Sequence, residues 1–496
     1  MTAVWKGAAL ALLGTGTGYA TAQTAAPQVK VAQGTLQGVR DNGSNSFRNI
    51  PFAAPPVGPL RFAPPASPVA WNGVRDASKF GASCMQEHVK ANGPFSQEYF
   101  AAPPFSEDCL VLNVWTTGGS GKAVLLYIPG GASVQGGGNL AVYNGANMAK
   151  ADVVAVTMNY RLGAAGFISH PGLPADANGS GNYALHDIIA ALRWIRANIA
   201  AFGGDPAKVT IMGQSAGAGA NLALLNWPEA RGLFRGAIID SGVRGNSNGS
   251  AMPAAAAMEA GQAWAKSRGA SDVAALRALP ADALVPRNGD PRLLPGVTSP
   301  AAAAVDVPIV TGWNSGEGAG SGPQPGLTAA NYPERLAALS PNAAGALAAA
   351  YPAGQNPVAA LRRAGHDATM LSGASWIRAR LAATRSPIYY FDFEHVMPGY
   401  TAADWGSHHS SELPYIFGTL DTLAGRPLTA SDRQMAQVMQ AYFLNFIKTG
   451  NPNSNGLAAW RAFNPAANEV MGLNLTSGMR PIASPERLNA WRGVYN

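Results

Sequence analysis

Lys208-Val209-Thr210-Ile211-Met212-Gly213-Gln214-Ser215-Ala216-Gly217-Ala218-Gly219-Ala220-Asn221-Leu222 decides how this chain folds. An apolar run of strand type enters a Gly-x-Ser-x-Gly pentad, and a run of small residues suited to the start of a helix leaves it. A serine on so sharp a strand-to-helix turn is lifted above the edge of a sheet, where its hydroxyl becomes a nucleophile if a base stands beside it. The flanking glycines answer to the tight turn and to close packing of helix on strand. The pentad alone is weak evidence, because Gly245-Asn246-Ser247-Asn248-Gly249 repeats it. That second copy begins five residues after its strand ends at Asp240, and Pro253 delays the next helix, so it reads as a surface loop. Ser215 is therefore the expected nucleophile.

Outward from this turn, strands and helices alternate. Val124–Ile128, Val153–Met158, Val209–Met212, Gly236–Ile239, Val307–Val310 and Ile388–Phe393 are short apolar runs bounded by turn residues. Leu185–Ile199 sets Leu185, Ile189, Leu192 and Ile195 on one helical stripe with Arg193 and Arg196 off it. Asp432–Lys448 has helical spacing and ends at Thr449-Gly450-Asn451-Pro452. Alternation of this kind predicts an α/β fold with a mostly parallel sheet covered by helices. Ile50–Trp71, rich in proline, is expected to be extended loop. The alanine-rich segments Ala251–Leu284 and Ala329–Ala382 are expected to be helical insertions over the active-site edge of the sheet. No linker or internal repeat divides the chain, which predicts one domain over residues 23–496.

Composition excludes several classes. Apolar residues make up 47% and charged residues 13%, the balance of a chain with a large core. The net charge of +7 is dispersed over 35 basic and 28 acidic residues with no Lys/Arg run, which argues against nucleic-acid binding. Lys6, the apolar Ala8–Leu13 and the tail Ala20-Thr21-Ala22-Gln23 read as a signal peptide over residues 1–22. Its apolar core falls short of the ~20 residues a membrane span needs. The mature chain is expected to be exported, to the periplasm or beyond, and not held in a membrane. In an oxidising compartment the two cysteines, Cys84 and Cys109, are expected to pair, closing a loop worth about 3–4 kcal/mol. Two separate buried thiols are the alternative.

A serine nucleophile needs a base, and the base an acid, in the chain order Ser, Asp/Glu, His on loops beyond strand ends. Of seven histidines, His366, His395, His408 and His409 follow Ser215. His366 lies in an alanine-rich helical stretch and reads as a surface residue; His395 lacks a flexible loop. The His408–His409 pair sits in Gly406-Ser407-His408-His409-Ser410-Ser411-Glu412. Glu317 is the one carboxylate in the loop after Val307–Val310; Asp392 and Glu394 rival it in order but lie on or at the end of a strand. The oxyanion hole needs backbone N–H groups, one from Ala216 and others from a Gly-rich loop after an early strand, for which Tyr127-Ile128-Pro129-Gly130-Gly131-Ala132 fits. Gly118-Gly119-Ser120-Gly121-Lys122 hints at a phosphate loop, but Thr116 and Ala123 occupy key places and the strand comes afterwards.

Together these features resemble the type-B carboxylesterase and cholinesterase family, of the α/β-hydrolase fold. The likeness rests on Ile50-Pro51-Phe52-Ala53 with Pro55-Pro56-Val57-Gly58 and Arg61-Phe62, and on Glu107-Asp108-Cys109-Leu110-Val111-Leu112-Asn113-Val114. It continues through Asn159-Tyr160-Arg161-Leu162-Gly163 and Phe202-Gly203-Gly204-Asp205-Pro206. The resemblance implies Ser215, Glu317 and His409 as a triad, His409 being favoured over His408 because it stands three residues before Glu412. It implies Gly131, Ala132 and Ala216 as oxyanion donors, a Cys84–Cys109 disulfide, and structural Arg161–Asp187 and Arg61–Glu107 ion pairs. Pro129 replaces the usual His or Tyr, Ala132 the third glycine, and Ser410 the glycine after the histidine. The implied activity is hydrolysis of neutral carboxylic esters without metal or organic cofactor. Acetylcholine is disfavoured, since the Cys84–Cys109 loop carries Phe95, Tyr99, Phe100 and Phe105 but no Trp, and Gln214 is neutral. A non-catalytic adhesion protein of the same family is the alternative function; the oligomeric state stays open, a monomer included.

Overall fold

The computed structural model describes residues 25–174, 181–244, 252–287, 305–399 and 404–495, with Met1 and Asp290 besides. The expected signal peptide and the competing Ser247 lie outside the described residues.

Among those described, eleven strands form the main sheet: β1 (Val39–Asp41), β2 (Ser44–Pro51), β3 (Val111–Thr116), β4 (Lys122–Ile128), β5 (Val153–Met158), β6 (Gly204–Gln214), β7 (Gly236–Asp240), β8 (Ile309–Asn314), β9 (Ile388–Phe393), β10 (Glu469–Leu473) and β11 (Gly478–Pro481). Their spatial order is β11-β10-β9-β8-β7-β6-β4-β5-β3-β2-β1. The pairings from β5 through β10 are parallel, and antiparallel strands close both ends. Parallel strands covered on both faces should be apolar throughout, and every residue of β5, β8 and β9 is buried.

The pleat divides the core in two. Val124, Leu126 and Ile128 join one buried cluster with Leu185, Ile189 and Leu192, whereas Leu125 and Tyr127 join the other with Met435, Met439 and Phe443. The first face is covered by α1 (Tyr183–Asn198), whose Arg193 and Arg196 are exposed as the stripe predicted. α2 (Ala216–Leu225) and α3 (Pro357–Ala383) pack there too, and α4 (Ala430–Thr449) covers the other face. Thr429 caps α4 by accepting from the Asp432 N–H while Asp432 accepts from the Thr429 N–H, and Gly450 ends it at φ 80°.

The alanine-rich insertions are helical: Ala254–Ser267 and Val273–Ala278 in the first, Tyr332–Ala337, Ala344–Ala350 and α3 in the second. The first packs Trp264 and Leu276 against Phe62 and Tyr183. Several boundaries differ from expectation: β4 begins at Lys122, β6 at Gly204 and β8 at Ile309, and β7 runs to Asp240. β6 continues to Gln214 and β8 to Asn314, so the turns that follow are tighter than the apolar runs alone indicated. Parallel ladders continue through polar residues when both neighbours still pair: Gln214 aligns with Asp240, and Asn314 with Phe393. Gly118, Gly119 and Gly121 all have positive φ and form the turn into β4, so that glycine run is a turn and not a phosphate cradle.

Candidate active site

Residues at the C-terminal ends of β4, β6, β7 and β8 meet along one edge of the sheet, where open α/β sheets hold their ligands. Ser215 follows β6 directly and begins α2, at φ 56° and ψ −119°. An L-residue pays roughly 1–2 kcal/mol to hold a positive φ. The sequence accommodates the turn through its glycines. A Cβ on Gly217 would lie 2.1 Å from the Ile128 carbonyl oxygen, and one on Gly213 2.3 Å from that of Gly217. The Ser215 N–H donates to the Asp240 carbonyl at 2.9 Å, pinning the turn to the end of β7. Its Oγ makes no hydrogen bond among the described residues and faces a cleft of about 360 Å³ lined also by His409, Gly130, Gly131 and Ala132.

Glu317 stands three residues beyond β8 and is 5% exposed. One carboxylate oxygen, Oε2, lies 2.7 Å from His409 Nδ1. The other accepts from Ser241 Oγ at 2.6 Å and from the Asn314 N–H at 3.2 Å. The acid and base loops are laced together: the Gly316 N–H donates to Ser407 O at 2.9 Å, and the Asn314 side-chain amide donates to His408 O at 2.7 Å and to Glu412. Burial pushes Glu317 up, but the charge of His409 and the hydrogen bonds from His409, Ser241 and Asn314 outweigh it, leaving its carboxyl below the usual range. Desolvation pulls His409 down; Glu317, with a further contribution from Glu412, more than restores it, so the imidazole lies above its ordinary value. His408 points elsewhere. It is 1% exposed, its Nδ1 meets the His409 carbonyl, and burial drops it to about 4. Gln214 Nε2 rests against the His409 ring, 3.2 Å from Nε2 and 3.4 Å from Nδ1.

The Gly-rich loop after β4 is held in an unusual conformation, with Gly131 at φ 112°, Ala132 at 55° and Ser133 at 63°. The amides of Gly131, Ala132 and Ala216 donate to no acceptor among the described residues. Tyr160 donates to the Pro129 carbonyl at 2.8 Å, and Gln86 exchanges two 2.8 Å hydrogen bonds with Gly136. Gln86 belongs to the loop closed by the Cys84–Cys109 disulfide, which contributes Phe95, Tyr99 and Phe100 to the cleft wall. The expected structural pairs are present. Arg161 grips Asp187 through Nε and Nη2 at 2.9 and 2.7 Å, and Arg61 pairs with Glu107 through two nitrogens.

The rival residues are engaged elsewhere. His395 Nε2 lies 2.7 Å from Asp432, which also accepts from Tyr415. Asp392 and Glu394 both bind Arg480. His366 corrects the sequence reading: its side chain is 13% exposed and its Nε2 lies 2.9 Å from Asp392. Alanine-rich composition marked a helix but not which of its faces meets β9. Ser410 takes φ 67°, which accounts for the glycine it replaces. Sequence reasoning missed Ser241 and Asn314. Ser241 follows β7, the strand beside β6, and Asn314 ends β8, the next strand along, so their place in the parallel order was the available signal. Among the described residues, no three His, Cys, Asp or Glu side chains group as metal ligands, and no helix is long and apolar enough to cross a membrane.

Comparison with known proteins gives this geometry its family. The model of the Carboxylesterase family matches residues 25–310 and 346–491. The chain belongs to the carboxylesterase family. It is 34% identical to the fumonisin B1 esterase of Sphingopyxis macrogoltabida, over 89% of this chain and 86% of that one. To the para-nitrobenzyl esterase of Bacillus subtilis (strain 168) it is 32% identical, over 90% and 94%. To the human cocaine esterase it is 31% identical, over 91% and 87%. A solved PNB esterase structure superposes with a TM-score of 0.75 at 28% identity, covering 93% of this chain and 99% of that one. This carboxylesterase is therefore a carboxylic ester hydrolase, and its sheet flanked by helices is the architecture of that relative.

Proposed function

We propose that Ser215, His409 and Glu317 form the catalytic triad of this carboxylesterase and that it hydrolyses neutral carboxylic esters through an acyl-enzyme. The observation that carries the reading is the His409–Glu317 pair opening on the same cleft as a serine held at the head of α2. His409 Nε2 takes the Ser215 proton as Oγ attacks the ester carbonyl. Glu317 holds the Nδ1 proton and offsets the imidazolium charge that develops. The amides of Gly131, Ala132 and Ala216 stabilise the oxyanion. His409 then returns the proton to the departing alcohol, and water repeats the sequence to release the acid.

The cleft wall supports an uncharged, partly aromatic substrate: Phe95, Tyr99, Phe100, Tyr127 and Tyr143 line it, and among the described residues Glu87 is its one carboxylate, with no Lys or Arg. Ala132 in place of glycine sets a methyl beside the scissile carbonyl and disfavours bulky alcohols. The N-terminal segment and the disulfide support export, with removal of residues 1–22, and the span of the family match supports one domain over 23–496. Sequencing the N-terminus of the mature protein checks the first; a start far from Gln23 rejects it. For the triad, Ser215→Ala should abolish both nitrophenyl ester hydrolysis and labelling by an organophosphonate. A variant that still turns over at the wild-type rate would discard Ser215.

A further inference from the structure

Two more carboxyl groups neighbour the His409–Glu317 pair without entering the proposed reaction. Asp240 ends β7 and Glu412 stands three residues past His409; each is 0% exposed. One oxygen of Glu412 accepts from the Asn314 amide. Asp240 Oδ1 lies 3.5 Å from Ser241 Oγ, but that hydroxyl has one proton and sits far closer to Glu317, at 2.6 Å. The remaining oxygens, Asp240 Oδ2 and Glu412 Oε1, meet no N–H or O–H donor among the described residues. The two carboxyl groups lie near enough to interact, and a hydrogen bond between them would satisfy both orphaned oxygens at once. Ionised carboxylates only accept, so a bond between two of them requires a proton.

We infer that one proton sits between these groups, carried by Asp240, and that neutral Asp240 is a positioning residue holding the Glu412 carboxylate near His409. The inference rests on the proposed role of His409 as base. The partners favour Asp240 as the proton's owner. Glu412 already receives the Asn314 amide and, as the anion, gains from both donors. Asp240 has no comparable donor to stabilise its charge. Burial, Glu412 and Glu317 hold Asp240 far above the usual carboxylate range, while the bonds from Asp240 and Asn314 restrain the rise that burial imposes on Glu412. The groups facing the cluster are Glu317 on the β8 loop, Tyr127 on β4, and His408, His409 and Arg244. Tyr127 stays protonated through burial and His408 is neutral, so Glu317, Glu412 and Arg244 set the field at His409. With Asp240 neutral, the site carries two carboxylate charges beside the imidazole instead of three.

The test is the pH profile of kcat/KM for a nitrophenyl ester. Glu412→Gln removes a charge and should move the acid limb down by about one unit. Asp240→Asn removes none, keeps a donor toward Glu412, and should leave the limb in place. A downward shift in Asp240→Asn matching that of Glu412→Gln would overturn the inference. Wild-type protein gives a second reading that needs no variant: an infrared carbonyl stretch of a protonated carboxyl group should persist near neutral pH, and its absence refutes the shared proton. Failure of the triad itself would look different, as full activity in Ser215→Ala.

Discussion

Replacing Glu317 by glutamine tests the acid without changing its shape. In the wild type, Oε1 accepts from the Asn314 N–H and from Ser241 Oγ, while Oε2 faces His409 Nδ1 at 2.7 Å. The Asn314 N–H can only donate, so the glutamine carbonyl oxygen must take the Oε1 place. Turning the amide round would leave that buried N–H facing another donor, at a cost of about 1–3 kcal/mol. The glutamine NH₂ therefore points at His409 Nδ1 and obliges it to accept. The imidazole proton moves to Nε2, where the base needs its lone pair. In the Ser-His-Asp template the same acid-to-amide change lowers kcat about 10⁴-fold, and a comparable loss here is about 5.5 kcal/mol of barrier. The assay is kcat on a nitrophenyl ester, with circular dichroism to confirm the fold. The pH profile adds a sign. Neutral His409 is the active form, and Glu317 raises its pKa, so wild-type activity falls with decreasing pH from above the ordinary histidine range. Without the charge the imidazole drops, and residual activity should show its acid limb at lower pH. A folded Glu317→Gln enzyme within tenfold of wild-type kcat would refute the tautomer argument.

Three other variants probe the walls of the site. Gln214→Glu places a carboxylate against the His409 ring, stabilises the imidazolium and should move the acid limb of kcat/KM up by about one unit; no movement would mean that this side chain leaves the ring in solution. Replacing Cys84 and Cys109 by serine opens a loop with a sequence separation of 25 and should lower unfolding stability by about 3.5 kcal/mol in urea titration. The same loop supplies Phe95, Tyr99 and Phe100, so KM should rise more than kcat falls, and the reverse would count against its place in substrate binding. Ala132→Gly relieves a φ of 55°, worth about 1–2 kcal/mol, but gives back about 0.4–1 in unfolded-state entropy, so stability should rise by at most about 1.6 kcal/mol. Its effect belongs in selectivity: esters of bulky alcohols should gain rate relative to an acetate, and equal change in both would dismiss the methyl as a barrier.

Much of this was legible because strands and stripes are local. The apolar runs located β5 and β9 to the residue, and the Leu185–Ile195 stripe gave the buried face of α1. Chain order and a short list of histidines brought Ser215, Glu317 and the His408–His409 pair forward, the family resemblance singled out His409, and the structure pairs Glu317 with His409 on the cleft that Ser215 also lines. What was not legible depends on neighbours distant in sequence. His366 looked like a surface residue because its partner, Asp392, comes from a strand 26 residues away. Ser241 and Asn314 are ordinary residues in their own segments, and they matter only because β7 and β8 follow β6 in order across the sheet and end on the same edge.

The same dependence governs how charge is arranged at the site. Glu317, Glu412 and Asp240 come from three separate segments and converge within one buried pocket beneath His409. Three anions there would repel one another and overstabilise the imidazolium, pushing the base out of the range where it is neutral and useful. The lattice of donors meets that problem unevenly. Glu317 receives Ser241 and Asn314 and stays ionised; Glu412 receives the Asn314 side chain; Asp240 receives almost nothing. Asn314 is the pivot, since its backbone N–H serves Glu317 while its side chain serves Glu412 and the His408 carbonyl. One residue at the end of β8 thus fixes which carboxyl groups carry charge and where the histidine loop sits, so the position of the base and its proton affinity are set by the same contacts.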